Sequence, residues 1–178
     1  MTSTFIAFTG VHGSGKTTAV NKLAAKLQAS GNKVTVIKEG AREYDGDLNT
    51  FTAQNWLWNY QLEQEAKARE TDADYIVADR TIMDSLMYHR DMIDHGCNET
   101  LTIETMNDWC SRMSVAQKMM LDYDCVIRMP LNLEWLQSPD PLRSPDVYYA
   151  ARIDKLFDEY VQEFVNGSPD VLEIEYGN

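Results

Sequence analysis

The stretch Gly10–Thr17, Gly-Val-His-Gly-Ser-Gly-Lys-Thr, limits what this chain can fold into more than any other. Gly10, Gly15, Lys16 and Thr17 fit G-x-x-x-x-G-K-[ST], the loop that wraps a phosphate chain. The spacing has a physical cause. Several backbone N–H groups must converge on phosphate oxygens, and only a turn rich in glycine (Gly10, Gly13, Gly15) brings the backbone that close without Cβ clashes. The flanks agree, since Phe5-Ile6-Ala7-Phe8 reads as a strand and Thr18–Gln28 as a helix. That helix offers unpaired N-terminal amides and the positive end of its dipole to the same phosphates. The motif predicts a triphosphate along Gly10, Val11, His12, Gly13, Ser14, Gly15, Lys16, Thr17 and Thr18. Lys16 would meet the β- and γ-phosphates, and the Thr17 hydroxyl would meet Mg2+.

The rest of the chain supplies the sheet that such a loop needs. Apolar runs alternate with helical patterns, which signals βαβ units. Strands are predicted at Thr4–Thr9, Lys33–Lys38, Tyr75–Ala78, Cys125–Met129 and Val171–Ile174. Helices are predicted at Lys16–Ser30, Asn49–Thr71, Ile82–His95, Leu101–Leu121 (N-capped by Asn98 or Thr100) and Asp146–Val165. Right-handed crossovers then make an α/β fold, a doubly wound, five-stranded parallel sheet in one domain over 1–178. Leu131–Pro145 reads as a mobile loop, and the region 131–152 as a lid.

Composition narrows the partners. With 178 residues the chain is long enough for one full core. Its net charge of −12 opposes broad binding to nucleic acid, where basic surface supplies most of the affinity. Cys97, Cys110 and Cys125 lack metal-type spacing and read as free thiols in a reducing compartment. No apolar run approaches a membrane span, and the N-terminus lacks a signal-peptide pattern. A cytoplasmic protein with no membrane contact is expected.

Ligands in such sheets collect at the C-terminal ends of the strands. Asp79 and Arg80 follow the third strand; Asp79 suits Mg2+, and Arg80 suits a phosphate clamp. Glu39 and Arg42 follow the second strand, Glu39 as a base and Arg42 as a holder of the acceptor. On the second helix, Gln61 or Gln64 would read a base edge by paired hydrogen bonds. Trp56, Trp58 and Tyr60 lie there too, with core packing the plainer reading of their spacing. Arg143 and Arg152 flank the last helix; Arg143 would close over the transferring phosphoryl group, and Arg152 would help hold the acceptor. His89 and His95 read as surface residues of a helix.

Taken together, these residues resemble the P-loop nucleoside and nucleotide kinases. Val77-Ala78-Asp79-Arg80, with Asp84, Ser85 and Tyr88, looks like the thymidylate kinase stretch. Glu39 with Tyr60-Gln61 is similar to deoxynucleoside kinases, in which a glutamate is the base and a glutamine reads the nucleobase. Glu39–Tyr44 and Asp140–Arg143 resemble the AAA-type, ribosylnicotinamide-kinase-like group. The chain lacks the proline of the thymidylate kinase Arg-Glu-Pro after the second strand, and has Asp79-Arg80-Thr81 where deoxynucleoside kinases have Glu-Arg-Ser. The resemblance implies an ATP- and Mg2+-dependent kinase of a nucleoside or nucleoside monophosphate. Lys16, Glu39, Asp79 and Arg143 would be its catalytic set. Two alternatives stay open: a kinase of a modified, hydroxymethyl base in DNA, and a P-loop ATPase that switches or assembles a partner. A homodimer stays open as well.

Overall fold

The structure is a computed structural model that describes residues 3–137, 140, 144–165 and 171–173. The first strand, β1 (Thr4–Thr9), lies at the centre of a parallel sheet. On one side it pairs with β3 (Tyr75–Asp79), which in turn pairs with β2 (Val34–Ile37). On the other it pairs with β4 (Cys125–Arg128). These four strands form the body of the sheet, and a short edge strand, β5 (Val171–Glu173), adds to β4. The spatial order is β2-β3-β1-β4-β5.

Both faces of the sheet are covered, so its central strands are apolar throughout rather than alternating. Phe5 and Ala7 of β1 face one cluster, with Trp58, Met83, Met87 and Phe157. Ile6 and Phe8 face the other, with Val20, Leu23 and Leu27. The first cluster takes side chains from α2 (Phe51–Arg69), α3 (Asp84–His95), α4 (Ile103–Met119) and α6 (Val147–Val165). The second is covered by α1 (Lys16–Ala29). Among the described residues, no helix is long and apolar enough to cross a membrane.

Three local expectations are corrected. The loop expected over Leu131–Pro145 contains a helical turn, α5 (Leu133–Leu136). Asn132 caps it by accepting from the backbone of Glu134 and Trp135, and Leu136 anchors it in the core. The cap of α4 is Thr102, which accepts from Thr105 N at 3.2 Å. Asn98 instead braces the loop before α2 by donating to Asp47. His89 is buried rather than on the surface, packed 5.0 Å from the Phe51 ring, and burial lowers its pKa to about 4.

The register brings functional residues together at one edge. Phe8 pairs with Asp79, Thr9 with Arg128, and Ile37 with Ala78. The loops after β1, β2 and β3 therefore open side by side. Arg128, buried beside Gly10 at this edge, is tied to Asp154 and Asp158 of α6, which it fastens to the sheet.

Candidate active site

The turn after β1 is shaped by close approach. A Cβ on Gly10 would lie 2.2 Å from the Met129 carbonyl oxygen. Gly15 has φ +82°, and a Cβ there would lie 1.9 Å from the Trp135 ring of α5. Neither position admits another side chain without moving its neighbour. Gly15 sits at the N-cap of α1 with no side-chain cap, so the first amides of the helix are left to other partners. Val11 is buried in the core beneath the turn. Lys16 is buried too, and its Nζ donates to the carbonyls of Gly10 and Val11, each at 2.7 Å, and to Ser14 Oγ at 3.1 Å. Burial lowers its pKa from 10.5 to about 8. His12, Gly13, Gly15, Lys16, Thr17 and Thr18 line a small cavity of about 100 Å3.

Beside this turn, Thr17 Oγ1 donates to Asp79 Oδ2 at 2.5 Å. The other carboxylate oxygen, Oδ1, is buried without a hydrogen-bond partner. Burial raises the pKa of Asp79, with Lys16 and the Thr17 hydroxyl opposing it. A hydroxyl and an unpartnered carboxylate oxygen at the phosphate turn fit the needs of a hard divalent cation such as Mg2+, which takes few protein ligands and keeps water and phosphate oxygens.

Arg80 is the one non-glycine residue with positive φ, +125°, among the described residues. Two sets of contacts hold it there. Gln61 Nε2 donates to its carbonyl at 3.2 Å. Its guanidinium pairs with Glu39 and, at 3.0 Å, with Asp84. Asp84 is a hub, accepting also from Thr9 Oγ1, Thr81 Oγ1 and Thr81 N. Burial alone would raise the Glu39 pKa, but Arg80 and Lys16 outweigh it and hold it at about 2. Glu39 is thus ionised at every physiological pH.

A second cavity, of about 490 Å3, opens beyond this ion pair. Gln54, Leu57 and Gln61 of α2 line it, as do Asp84, Tyr88 and Asp91 of α3 and Tyr149 and Arg152 of α6. Arg152 is held by Asp91 at 2.9 Å. The Tyr88 hydroxyl accepts from His12 N at 2.9 Å, which ties the phosphate turn to α3. Glu39 and Arg80 line both cavities.

The predicted site residues thus divide. Lys16 and Thr17 line the smaller cavity, Asp79 is joined to it through Thr17, and Glu39 and Arg80 line both. Gln61 and Arg152 line the larger cavity, whereas Gln64 lines neither. Arg42, expected beside the acceptor, lines only the smaller cavity, paired with Asp140 at 2.7 Å. Arg143 lies outside the described residues. Trp58 is core, while Trp56 and Tyr60 stack on each other with centroids 5.1 Å apart and line neither cavity. Sequence reasoning missed Gln54, Asp91 and Tyr149, and marked Asp84 and Tyr88 only as part of the stretch that resembles thymidylate kinases. A signal existed for part of this set: Asp84, Tyr88, Asp91 and His95 recur at i, i+4, i+7 and i+11, one helix face aimed at the strand ends.

Comparison with known proteins gives a family and a fold. A family of proteins described as the AAA domain matches residues 5–167. A Thermoplasma volcanium protein described as "Probable thymidylate kinase" is 30% identical over 87 residues, which is 47% of this chain and 46% of that protein. The match therefore spans less than half of that relative. In fold, the chain is similar to a deoxyadenosine kinase from M. mycoides solved with bound dATP, at TM-score 0.65 and 18% identity, over 97% of this chain and 90% of that one.

Proposed function

The chain belongs to the AAA domain family, among the P-loop nucleoside and nucleotide kinases, and we propose that it transfers a phosphoryl group from ATP to a hydroxyl of a nucleoside-like acceptor. One observation carries the reading. The phosphate turn and a cavity of about 490 Å3 meet at the Glu39–Arg80 pair, which lines both. That volume lies within the usual range of small-molecule sites.

Each residue then has a task. The amides of Gly13–Thr18 and the Lys16 ammonium hold the triphosphate. Thr17 and Asp79 would hold Mg2+, which supplies charge neutralisation at the phosphate oxygens. Phosphoryl transfer asks mainly for positioning and charge stabilisation. Arg80 sits where the transferring group would pass. Glu39, ionised and held by Arg80, orients the attacking hydroxyl and receives its proton late in the reaction. The segment 131–152 acts as the lid of a single domain, and the Arg42–Asp140 pair at 2.7 Å supports its closing over the donor.

Charge favours a hydroxyl acceptor over a monophosphate. Among the described residues lining the larger cavity, the carboxylates are Glu39, Asp47, Asp84, Asp91 and Asp146, against the arginines Arg80 and Arg152. Both arginines are already paired with carboxylates. A dianionic phosphate would meet net repulsion there.

The test is ADP formation from ATP and Mg2+ with a panel of nucleosides and their 5′-monophosphates. Turnover should depend on a nucleoside and fall steeply in Glu39→Gln. Rapid hydrolysis that no acceptor alters would overturn the reading.

A further inference from the structure

Tyr88 borders the larger cavity while its hydroxyl reaches the phosphate turn. On the reading that the larger cavity holds a nucleoside-like acceptor, we infer that Tyr88 is a positioning residue: an acceptor packed against it steadies the phosphate turn, so the two substrates bind with positive coupling. Tyr88 lines the larger cavity and not the smaller one, whereas His12 lines both. The Tyr88 hydroxyl accepts from His12 N at 2.9 Å and lies 3.1 Å from His12 Nδ1. One hydroxyl thus holds both the backbone and the ring of a residue inside the turn.

The turn needs such a tie. Gly10, Gly13 and Gly15 all hold positive φ, at +141°, +76° and +82°. Glycine has more backbone freedom to lose than any other residue, so fixing three of them in one turn is entropically costly. Val11 anchors the turn from the core, and Lys16 Nζ braces it from within through the carbonyls of Gly10 and Val11. Tyr88 is the tie that arrives from the acceptor side. Its ring has neighbours there, the Arg80 guanidinium at 5.5 Å and the Tyr149 ring at 6.5 Å between centres. It is still only half-buried, because the cavity leaves part of it without packing. A ligand that fills the cavity covers that part and removes the remaining motion of the side chain. The hydroxyl then stays on His12 N, and the turn is ordered before the donor arrives. Such coupling is reciprocal, so the donor must tighten the acceptor by the same factor.

Amide hydrogen exchange across Gly10–Thr18 and calorimetric binding of ADP with Mg2+ test this. ADP lacks the transferable phosphoryl group, so no turnover enters and the two ligands need not touch. The acceptor probes are adenosine, guanosine, cytidine and thymidine. The nucleoside that binds should slow exchange in the turn with no nucleotide present, and should tighten ADP roughly fivefold or more. Tyr88→Phe keeps the ring and removes the hydroxyl. In that variant the slowing should be lost and the ADP ratio should fall towards one. Turn amides that ignore the nucleoside, a ratio near one in the native protein, a ratio unchanged in Tyr88→Phe, or binding of none of the four overturns the inference. Should Tyr88→Phe fail to fold, exchange and coupling in the native protein decide alone. Coupled binding without phosphoryl transfer would sink the kinase reading and leave this inference standing, whereas transfer without coupling would sink this inference alone.

Discussion

Arg80 Nε donates to Glu39 Oε1 across 2.8 Å, and this contact ties the end of β3 to the residue that follows β2. It builds the wall that the phosphate turn and the larger cavity share. Arg80 takes up a left-handed backbone, φ +125°, to reach it. Such a conformation persists in a non-glycine residue only where surrounding contacts over-determine it, here those of Gln61, Glu39 and Asp84.

Asp79 presents one oxygen to Thr17 and leaves the other buried without a partner. Asp79→Asn should weaken binding of a non-hydrolysable ATP analogue in Mg2+ by roughly 10- to 100-fold, with little change in metal-free buffer. Calorimetry with and without Mg2+ reads this directly. An equal loss in both buffers would make Asp79 a structural residue only.

Lys16 gives the site its pH dependence. Its folded pKa is about 8 against an ordinary 10.5. Between those values the unfolded chain keeps a proton that the folded chain has lost, so this group's contribution to stability rises with pH across that window. Triphosphate affinity runs the other way, because the phosphates need the charged ammonium. Binding at pH 9 should take up protons, seen as a dependence of the binding heat on the ionisation heat of the buffer. At pH 6.5 the uptake should vanish, and Lys16→Met should abolish it at pH 9. Glu39, held at about 2, adds no titration near neutrality.

Gly15→Ala forces a Cβ to within 1.9 Å of Trp135 at φ +82°. We expect a stability loss of about 1–2 kcal/mol from the backbone alone, with the ring clash added to it. Thermal unfolding of Gly15→Ala and of Gly15→Ala with Trp135→Ala separates the two. The double variant should recover the clash and keep the backbone cost. No recovery would show that Trp135 moves aside freely.

Tyr123 is 2% exposed, and its hydroxyl accepts from Ile82 N at 3.0 Å while donating to Glu65. Tyr123→Phe leaves both groups without that partner, at a cost of about 1–3 kcal/mol in denaturant unfolding. The loss should reach function as well, since Glu65 steadies Gln61, and acceptor affinity should fall with stability. Unchanged stability would show that neither group depended on the hydroxyl.

Much of this site was legible in the linear chain. Gly10–Thr17 is contiguous, and its chemistry is set by residues within one strand, turn and helix start. Asp79, Arg80 and Glu39 were found because strand ends of a parallel sheet share one edge. The misses have a common cause. Gln54 and Tyr149 stand on different helices, and nothing local marks which face of each looks inward. Gln64 shares a helix with Gln61, yet only Gln61 reaches the cavity. Arg42 follows the same strand as Glu39, but Asp140, 98 positions away, draws it to the other cavity.

The sequence by itself determined that a phosphate-wrapping turn sits between a buried strand and a helix. Glycine spacing and apolar runs are local properties that act on neighbouring residues. Tertiary structure alone decided what that turn faces. The Thr17–Asp79 contact joins residues 62 apart, and the Tyr88 contact to His12 joins residues 76 apart. The directions of the Gln54 and Gln61 amides depend on two backbone carbonyls, those of Leu48 and Arg80, brought alongside by packing. Hydrogen-bond orientation is set by whichever acceptor lies within reach, and only the folded chain brings those acceptors there.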